Sequence, residues 1–129
     1  MRRYFVHTFG CQMNVNDTLR KDVSLVGTSA QTLDFNGGSL VNRFGDAIAW
    51  GELKYIRIKN KSGAGDVAIT GLLATALGIS GKVLKPGQQI KLSTSAAALA
   101  TIAGGSADTL ILTPTADCVV QVEAAAVKA

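Results

Sequence analysis

The segment Leu53-Lys-Tyr-Ile-Arg-Ile-Lys-Asn60 decides the fold class of this chain. Its two isoleucines alternate with Tyr55, Arg57 and Lys59, which is the period-two pattern of a half-buried strand. β-Branched and aromatic side chains favour extended backbone as well. A Gly-rich turn sequence follows at residues 60–65. We therefore predict a strand with its isoleucines facing a core and its polar side chains facing outward.

Further strands are predicted on both sides of this segment. Val67–Thr70 is expected to return along it as the second strand of a hairpin. Strand patterns also occupy Gln31–Phe35, Gln89–Ser93, Thr109–Thr113 and Val119–Val127. Gly71–Leu77 is compatible with a helical turn or a loop, and the Ala-rich Ser95–Ala103 with a short helix or a strand. Turn signals at this spacing predict an all-β fold, an antiparallel β-sandwich or barrel of jelly-roll-like type.

The composition limits the class of protein further. The chain has 129 residues, 47% of them hydrophobic, which suits one domain with one core. Alanine and glycine, 18 and 14 residues, outweigh the 5% of aromatic residues, and this favours close-packed sheets over a large aromatic pocket. There is neither a long apolar run nor a signal-peptide pattern. We expect a soluble protein, made in a reducing cytoplasm, with no membrane partner.

The net charge of +4 is concentrated in the middle of the chain. Between Glu52 and Lys91 there are seven basic residues and only two acidic ones. One interpretation is a basic face toward nucleic acid or an acidic protein surface. The other is an ordinary solvent-facing side of an amphipathic strand. The second is favoured, because no aromatic residues interleave with the charges as base stacking requires.

Catalytic chemistry is not predicted. The chain has one histidine, and its carboxylates are scattered over turns and strand ends, where aspartate is usually structural. Asp66 and Asp108 lie beside Gly-rich turns, but their oxygen-ligand density is low for Ca²⁺. We predict no catalytic residue, no cofactor and no metal. Trp50 is expected to close one end of the core, whereas Tyr55 is the better candidate for an interface.

The N-terminus carries a motif of its own. Residues 4–17, Tyr-Phe-Val-His-Thr-Phe-Gly-Cys-Gln-Met-Asn-Val-Asn-Asp, resemble the opening of the radical-SAM methylthiotransferases. The resemblance implies that Cys11 matches one of three cysteines that hold a [4Fe–4S] cluster in that family. The other cluster cysteines are absent here, and the only further cysteine is Cys118. A disulfide between the two is possible in principle, but two free thiols are favoured, with Cys118 in the core. We expect no working methylthiotransferase; a fragment or relative of one is kept as an alternative.

The remainder of the chain, from about Asp22 to Val127, resembles a second class of proteins. Its features occur in the order of small β-sandwich proteins of tailed bacteriophages, found among head-decoration and other minor virion proteins. The matching features are the Thr-Leu-Asp-Phe strand, Phe44–Trp50, Leu53–Asn60, Lys85-Pro-Gly87, Gly105–Leu112 and the Val-rich last strand. This resemblance implies a structural role in a virion and brings no catalytic residues.

The hypothesis drawn from the sequence is a non-enzymatic virion protein that binds copies of itself, a major capsid protein, or both. It would be made in the host cytoplasm and end in the virion. Residues 1–22 are predicted as an extended N-terminal arm and residues 23–129 as the sandwich domain. The candidate interface residues are Arg2, Arg3, Arg20, Lys21, Tyr55, Arg57 and Lys59. A basic nucleic-acid-binding β-domain remains a further alternative.

Overall fold

Strands dominate the structure, a computed structural model that describes residues 4–5, 14–37, 40–42, 44–94, 97–105 and 107–128. Side chains are described from residue 15 onward. In chain order the elements are β1 (Tyr4–Phe5), β2 (Asn14–Val15), β3 (Asp17–Leu25), β4 (Gln31–Asp34), β5 (Trp50–Gly63), β6 (Val67–Thr70), α1 (Leu72–Leu77), β7 (Lys82–Leu84), β8 (Gln89–Ser93), β9 (Ala100–Thr101), β10 (Thr109–Pro114) and β11 (Cys118–Lys128).

Two antiparallel sheets form the body of the protein. The larger has the order β3-β11-β5-β8, and β9 pairs with the beginning of β5 on the same edge as β8. The smaller has the order β4-β10-β6-β7. β1 and β2 make a separate two-stranded pair. The predicted all-β class and antiparallel sandwich are confirmed.

The core lies between the inner faces of the two sheets, because both sheets present apolar residues at alternate positions. Ile56 and Ile58 of β5 are fully buried, as predicted. The same cluster contains the inward residues of the other central strands, including Val120, Val122, Ala124 and Ala126 of β11 and Leu110 and Leu112 of β10. Cys118 belongs to this cluster, so its prediction as a small core residue is confirmed.

The predicted hairpin between β5 and β6 is wrong. β6 pairs with β10 and β7 in the other sheet, so the chain crosses the sandwich between Gly63, where β5 ends, and Val67, where β6 begins. Asn60 holds this crossing, because its buried side-chain amide donates to the carbonyl oxygens of Gly65 (2.8 Å) and Leu84 (3.0 Å). Gly63 adopts φ +103°, and a Cβ there would lie 2.5 Å from the backbone of both Asp117 and Cys118.

The two ambiguous stretches adopt different structures. Residues 72–77 form the short helix α1, which ends at Gly78 in the left-handed conformation (φ 75°) that glycine favours. In the Ala-rich stretch, Ala100–Thr101 is a strand and pairs with Glu52 and Leu53 of β5. Residues 95 and 96 of that stretch lie outside the described part. The helix propensity of alanine is therefore overridden by pairing with the sheet.

The N-terminal part of the sandwich begins earlier than predicted. β3 starts at Asp17 and runs through position 22, so residues 17–22 lie in the five-stranded sheet beside β11. The rest of the predicted arm, residues 1–16, lies mostly outside the described residues, which here are 4–5 and 14–16, so the arm stays a prediction there. Arg2, Arg3, His7 and Cys11 fall outside the described residues. Within the described ranges, no helix has the length and apolar character needed to span a membrane.

Candidate interaction surfaces

The outer face of the five-stranded sheet carries a row of alternating charges. Glu123 of β11 lies opposite Arg20 of β3 on one side and Arg57 of β5 on the other. Its carboxylate is 3.7 Å from Arg20 Nε and 2.9 Å from Arg57 Nη2. Directly opposite residues in an antiparallel pair share a face, so three neighbouring strands are tied together by one carboxylate.

A second row lies beside the first. Gln121 donates through Nε2 to Asp22 (3.2 Å) and accepts from Arg57 Nη2. Lys61 donates to the other oxygen of Asp22 at 2.9 Å. This hydrogen bond from the ammonium group lowers the pKa of the Asp22 carboxyl below its ordinary value of 3.8, against an opposing effect of desolvation. The two rows form one connected polar network, and we call them the charged face.

Tyr55 occupies the charged face but is only 3% exposed. It lies opposite Ala125 of β11, which is also buried, and neither residue belongs to the core cluster between the sheets. Burial raises the pKa of the Tyr55 phenol above 10.0, and the nearby carboxylate of Glu123 adds to the effect. The ring is therefore not available to a partner on the surface of the single chain.

The predicted interface residues that the structure describes lie on two different faces of the five-stranded sheet. Arg20, Tyr55, Arg57 and Lys59 lie on the charged face. Lys21 faces the other way, because it is opposite the core residue Val122, although its position on an edge strand leaves it exposed. An inward-pointing charge on an edge strand is a common device against unwanted pairing with another chain.

The outer face of the four-stranded sheet differs in chemistry. Ile111 of β10 lies between Thr32 of β4 and Thr70 of β6. The next row consists of Thr113, Ala68 and the half-exposed Val83. These residues alternate with core residues, so they point outward. We call this the uncharged face.

One acidic residue lies on the uncharged face, and its carboxylate is engaged in a turn. Asp34 Oδ1 accepts hydrogen bonds from the backbone N–H groups of Asn36 (2.9 Å) and Gly37 (2.8 Å). This is the usual Asx-turn use of aspartate at the end of a strand. The face therefore offers hydroxyl and methyl groups for close contact.

A buried polar network supports the loop that carries Val41, Asn42 and Phe44 at one end of the sandwich. Trp50 is fully buried and stacks on Phe35 with ring centroids 5.5 Å apart, which confirms its prediction as a core residue. Its Nε1 donates to Asp17 Oδ2 at 2.8 Å, and Asn42 Nδ2 donates to Asp17 Oδ1 at 2.9 Å. Asn42 Oδ1 in turn accepts from the backbone N–H of Phe44 (2.9 Å). The carboxylate thus holds both the tryptophan and the loop.

This loop presents two apolar side chains outward. Phe44 is 61% exposed and Val41 is 53% exposed. Sequence reasoning missed both the loop and Asp17. A signal was present, because Asp17 lies two residues after Val15 and two before Leu19, and this alternation places an acid at an inward position. An acid in an inward position requires buried hydrogen-bond donors.

The thiol of Cys118 lies at the opposite end of the sheet. It is 4% exposed and borders a shallow depression of 280 Å³ lined by residues of β3, β5 and β11. Burial raises the pKa of this thiol above its ordinary 9.0, with a further contribution from Asp117. Neutral buried thiols are poor nucleophiles and poor metal ligands. Among the residues that the structure describes, no group of three or more acidic, histidine or cysteine side chains could hold a metal ion.

Comparisons with known proteins give one short likeness. A stretch of 20 residues, 16% of this chain, is 85% identical to tRNA-2-methylthio-N(6)-dimethylallyladenosine synthase of Myxococcus xanthus (strain DK1622). The likeness covers 4% of that enzyme's length. No family model matches the chain, and no solved structure matches it. The similarity is therefore that of a short peptide to a methylthiotransferase.

Proposed function

We propose that this chain is a non-enzymatic structural protein that acts by binding copies of itself or a larger protein lattice. The observation that carries the proposal is the contrast between the two outer faces of the sandwich. One face carries a connected network of charges, and the other carries hydroxyl and methyl groups, with Asp34 as its one acid, engaged in a turn. A protein with two extended surfaces of different chemistry is suited to join neighbours on two sides.

The two faces would contribute by different physical means. On the charged face, Arg20 is well exposed and its partner Glu123 is partly exposed, so a neighbour with complementary charges could extend the row. On the uncharged face, small side chains such as Ala68 and Thr70 allow another surface to approach closely, because sheets pack face to face about 10 Å apart. The first contact depends on salt, and the second does not.

The loop that carries Phe44 adds an apolar contact. Its backbone is held by Asn42, which is itself held by the buried carboxylate of Asp17. An exposed aromatic ring on a preorganised loop loses little conformational entropy on binding, and such residues often dominate interface energies. Phe44 is therefore the residue we expect to contribute most in a contact with a neighbour at this end.

The virion setting of the proposal comes from the sequence analysis alone, in which the order of strands and turns in residues 22–127 resembles small phage sandwich proteins; no family model and no solved structure matches the chain. In that setting the partners would be other copies of the chain, the major capsid protein, or both. The protein would be made in the host cytoplasm and act in the particle. The charged and uncharged faces suit a decoration or minor structural subunit that must hold to a lattice and to its own neighbours.

The test is association of the full chain as a function of concentration and salt. Light scattering coupled to size exclusion, followed by electron microscopy, should show oligomers, filaments or particles. Phe44→Ser should weaken association, whereas Leu72→Ser, a change at another exposed apolar residue, serves as the matched control. A chain that stays monomeric at every concentration and salt level, alone and with capsid protein, would contradict the proposal.

A second candidate function rests on the 20-residue likeness to a methylthiotransferase. It predicts that Cys11 helps to hold an iron–sulfur cluster, with further ligands from another chain or molecule, since a [4Fe–4S] cluster usually takes four. Anaerobic reconstitution with iron and sulfide should then give a brown protein, and Cys11→Ser should not colour. A colourless protein after reconstitution would dispose of this candidate.

A further inference from the structure

The open edges of the two sheets are protected unequally. In the five-stranded sheet, β3 carries Arg20, the inward Lys21 and Asp22, and β8 carries Lys91. In the four-stranded sheet, β7 is only three residues long and begins with a lysine. Charges, especially lysine, and short length are the usual means by which edge strands avoid pairing with other chains.

β4 is the exception among these edges. The sequence from Val23 to Leu33 contains no charged residue and no proline. β4 forms the edge of its sheet, and Gln31 and Thr32 are exposed. The one acid of the strand, Asp34, uses its carboxylate in the turn that follows. Among the residues that the structure describes, no strand pairs with the outer side of β4, so this edge is open to a partner and lacks the protection of the others.

The backbone groups available on this edge follow from the register with β10. The N–H of Phe35 donates to the carbonyl oxygen of Asp108 at 2.8 Å, beyond the pair formed by Asp34 and Thr109. Hydrogen-bonded and non-hydrogen-bonded pairs alternate along antiparallel strands. The main-chain groups of Gln31 and Leu33 therefore point toward β10. Those of Thr32 and Asp34 point to the open edge.

We propose that β4 pairs antiparallel with β4 of a second copy of this chain, about a two-fold axis that passes beside Thr32. This proposal deepens the self-association proposed above and rests on it. In this register Thr32 faces its own counterpart, and Ala30 of one copy faces Asp34 of the other. The paired positions supply about six intermolecular hydrogen bonds, two for each facing pair.

The charges favour a second copy as the occupant of this edge. The register places each Asp34 opposite an alanine, so no like charges face each other across the axis. In this register, residues that point outward in one copy also lie beside residues that point outward in the other copy, because facing positions share a side of the sheet. The two uncharged faces then join into one continuous surface across an eight-stranded sheet. An isologous contact of this kind closes on itself as a dimer.

Cysteine cross-linking tests the register. In a Cys11→Ser background, Thr32→Cys should give a disulfide-linked dimer under mild oxidation, because facing hydrogen-bonded positions lie about 5.5 Å apart at Cα. Ser24→Cys, another exposed position, on the protected edge β3, is the matched control and should stay monomeric on a non-reducing gel. Cross-linking at Ser24→Cys as strong as at Thr32→Cys would overturn the proposal.

Proline substitution tests the hydrogen bonding. Thr32→Pro removes an N–H that points away from β10, so it should leave the chain folded while lowering the dimer fraction at least tenfold. Thr32→Val keeps the N–H and should keep the dimer. If the chain associates but Thr32→Cys does not cross-link and Thr32→Pro has no effect, the β4 pairing is refuted while self-association stands. If the wild-type chain is strictly monomeric, the β4 pairing and the self-association on which it rests both fail, and binding to a lattice of another protein is left to the test given above.

Discussion

The buried carboxylate of Asp17 allows a sharp test of the packing at one end of the sandwich. Asp17 is 3% exposed and accepts hydrogen bonds from the indole N–H of Trp50 and the side-chain amide of Asn42. Asp17→Ala removes the acceptor for both donors, and both donors are themselves buried. The change also opens space beside the tryptophan. It is therefore expected to destabilise the protein more than an ordinary surface substitution.

The magnitude follows from the two donors that lose their partner. Leaving a buried polar group unpaired costs about 1–3 kcal/mol, and more where the lost partner is charged. Two such donors at Asp17 give an expected loss of about 2–6 kcal/mol of unfolding free energy. Asp17→Asn keeps one acceptor oxygen but turns an NH₂ group toward the other donor. It should lie in the lower half of the same range.

Urea unfolding followed by tryptophan fluorescence measures this loss directly. Trp50 is the only tryptophan in the chain and is buried in the fold, so its emission reports the opening of this site. Asp46→Ala removes an exposed aspartate of the same loop and should change the free energy by less than about 0.5 kcal/mol. If Asp17→Ala costs less than about 1 kcal/mol at an unchanged m-value, the assigned hydrogen-bond network is wrong.

Three further predictions concern a strand glycine, a thiol and a charge. Gly63→Ala should lower the unfolding free energy by about 3 kcal/mol or more in urea, because its Cβ would meet the backbone of the neighbouring strand. Gly78→Ala is the control: it has φ 75° but open space around the Cβ, so it should cost about 1–2 kcal/mol. Equal losses for the two variants would contradict the steric argument. In a Cys11→Ser background, Cys118 should react with a thiol reagent only slowly until urea is added. A fast reaction of the native protein would show that the thiol is not buried. Because burial raises the pKa of the Cys118 thiol in the folded state, the contribution of this group to stability is full below pH 9.0 and declines as pH rises through the folded pKa. Glu123→Gln should cost about 0.5–1 kcal/mol, because two arginines lose a shared carboxylate that is itself partly exposed, and the loss should shrink with added salt; a loss independent of salt would point to packing instead.

Sequence patterns identified the strands and their inward faces well, but not the sheet to which each belongs. The alternation in residues 53–60 places Ile56 and Ile58 inward because burial in a half-exposed strand is a local property. The path after Asn60 is not local. A Gly-rich turn is compatible with a return along the same sheet and with a crossing to the other one. The contacts of Asn60 with Leu84, 24 residues away, select the crossing.

The surfaces were harder to predict for a similar reason. Alternation correctly assigned Tyr55 to the outer side of β5, but exposure on that side depends on what else lies against it. Lys21 and Arg20 are adjacent in sequence and were treated as one basic group, although neighbours on a strand point to opposite faces. The partner of Asp17 is 33 residues away, so no spacing rule connects it with Trp50.

The central position of β11 has a consequence for how the chain folds as it is synthesised. β11 comes last in chain order, yet it lies between β3 and β5 and supplies both of their pairings in that region. Its contacts with β3 join residues such as Gln121 and Asp22, 99 positions apart. Such distant pairings make folding slow, on a millisecond-to-second scale. Until residues 118–128 leave the ribosome, β3 and β5 have unpaired edges, so the nascent chain should depend on chaperone protection at that stage.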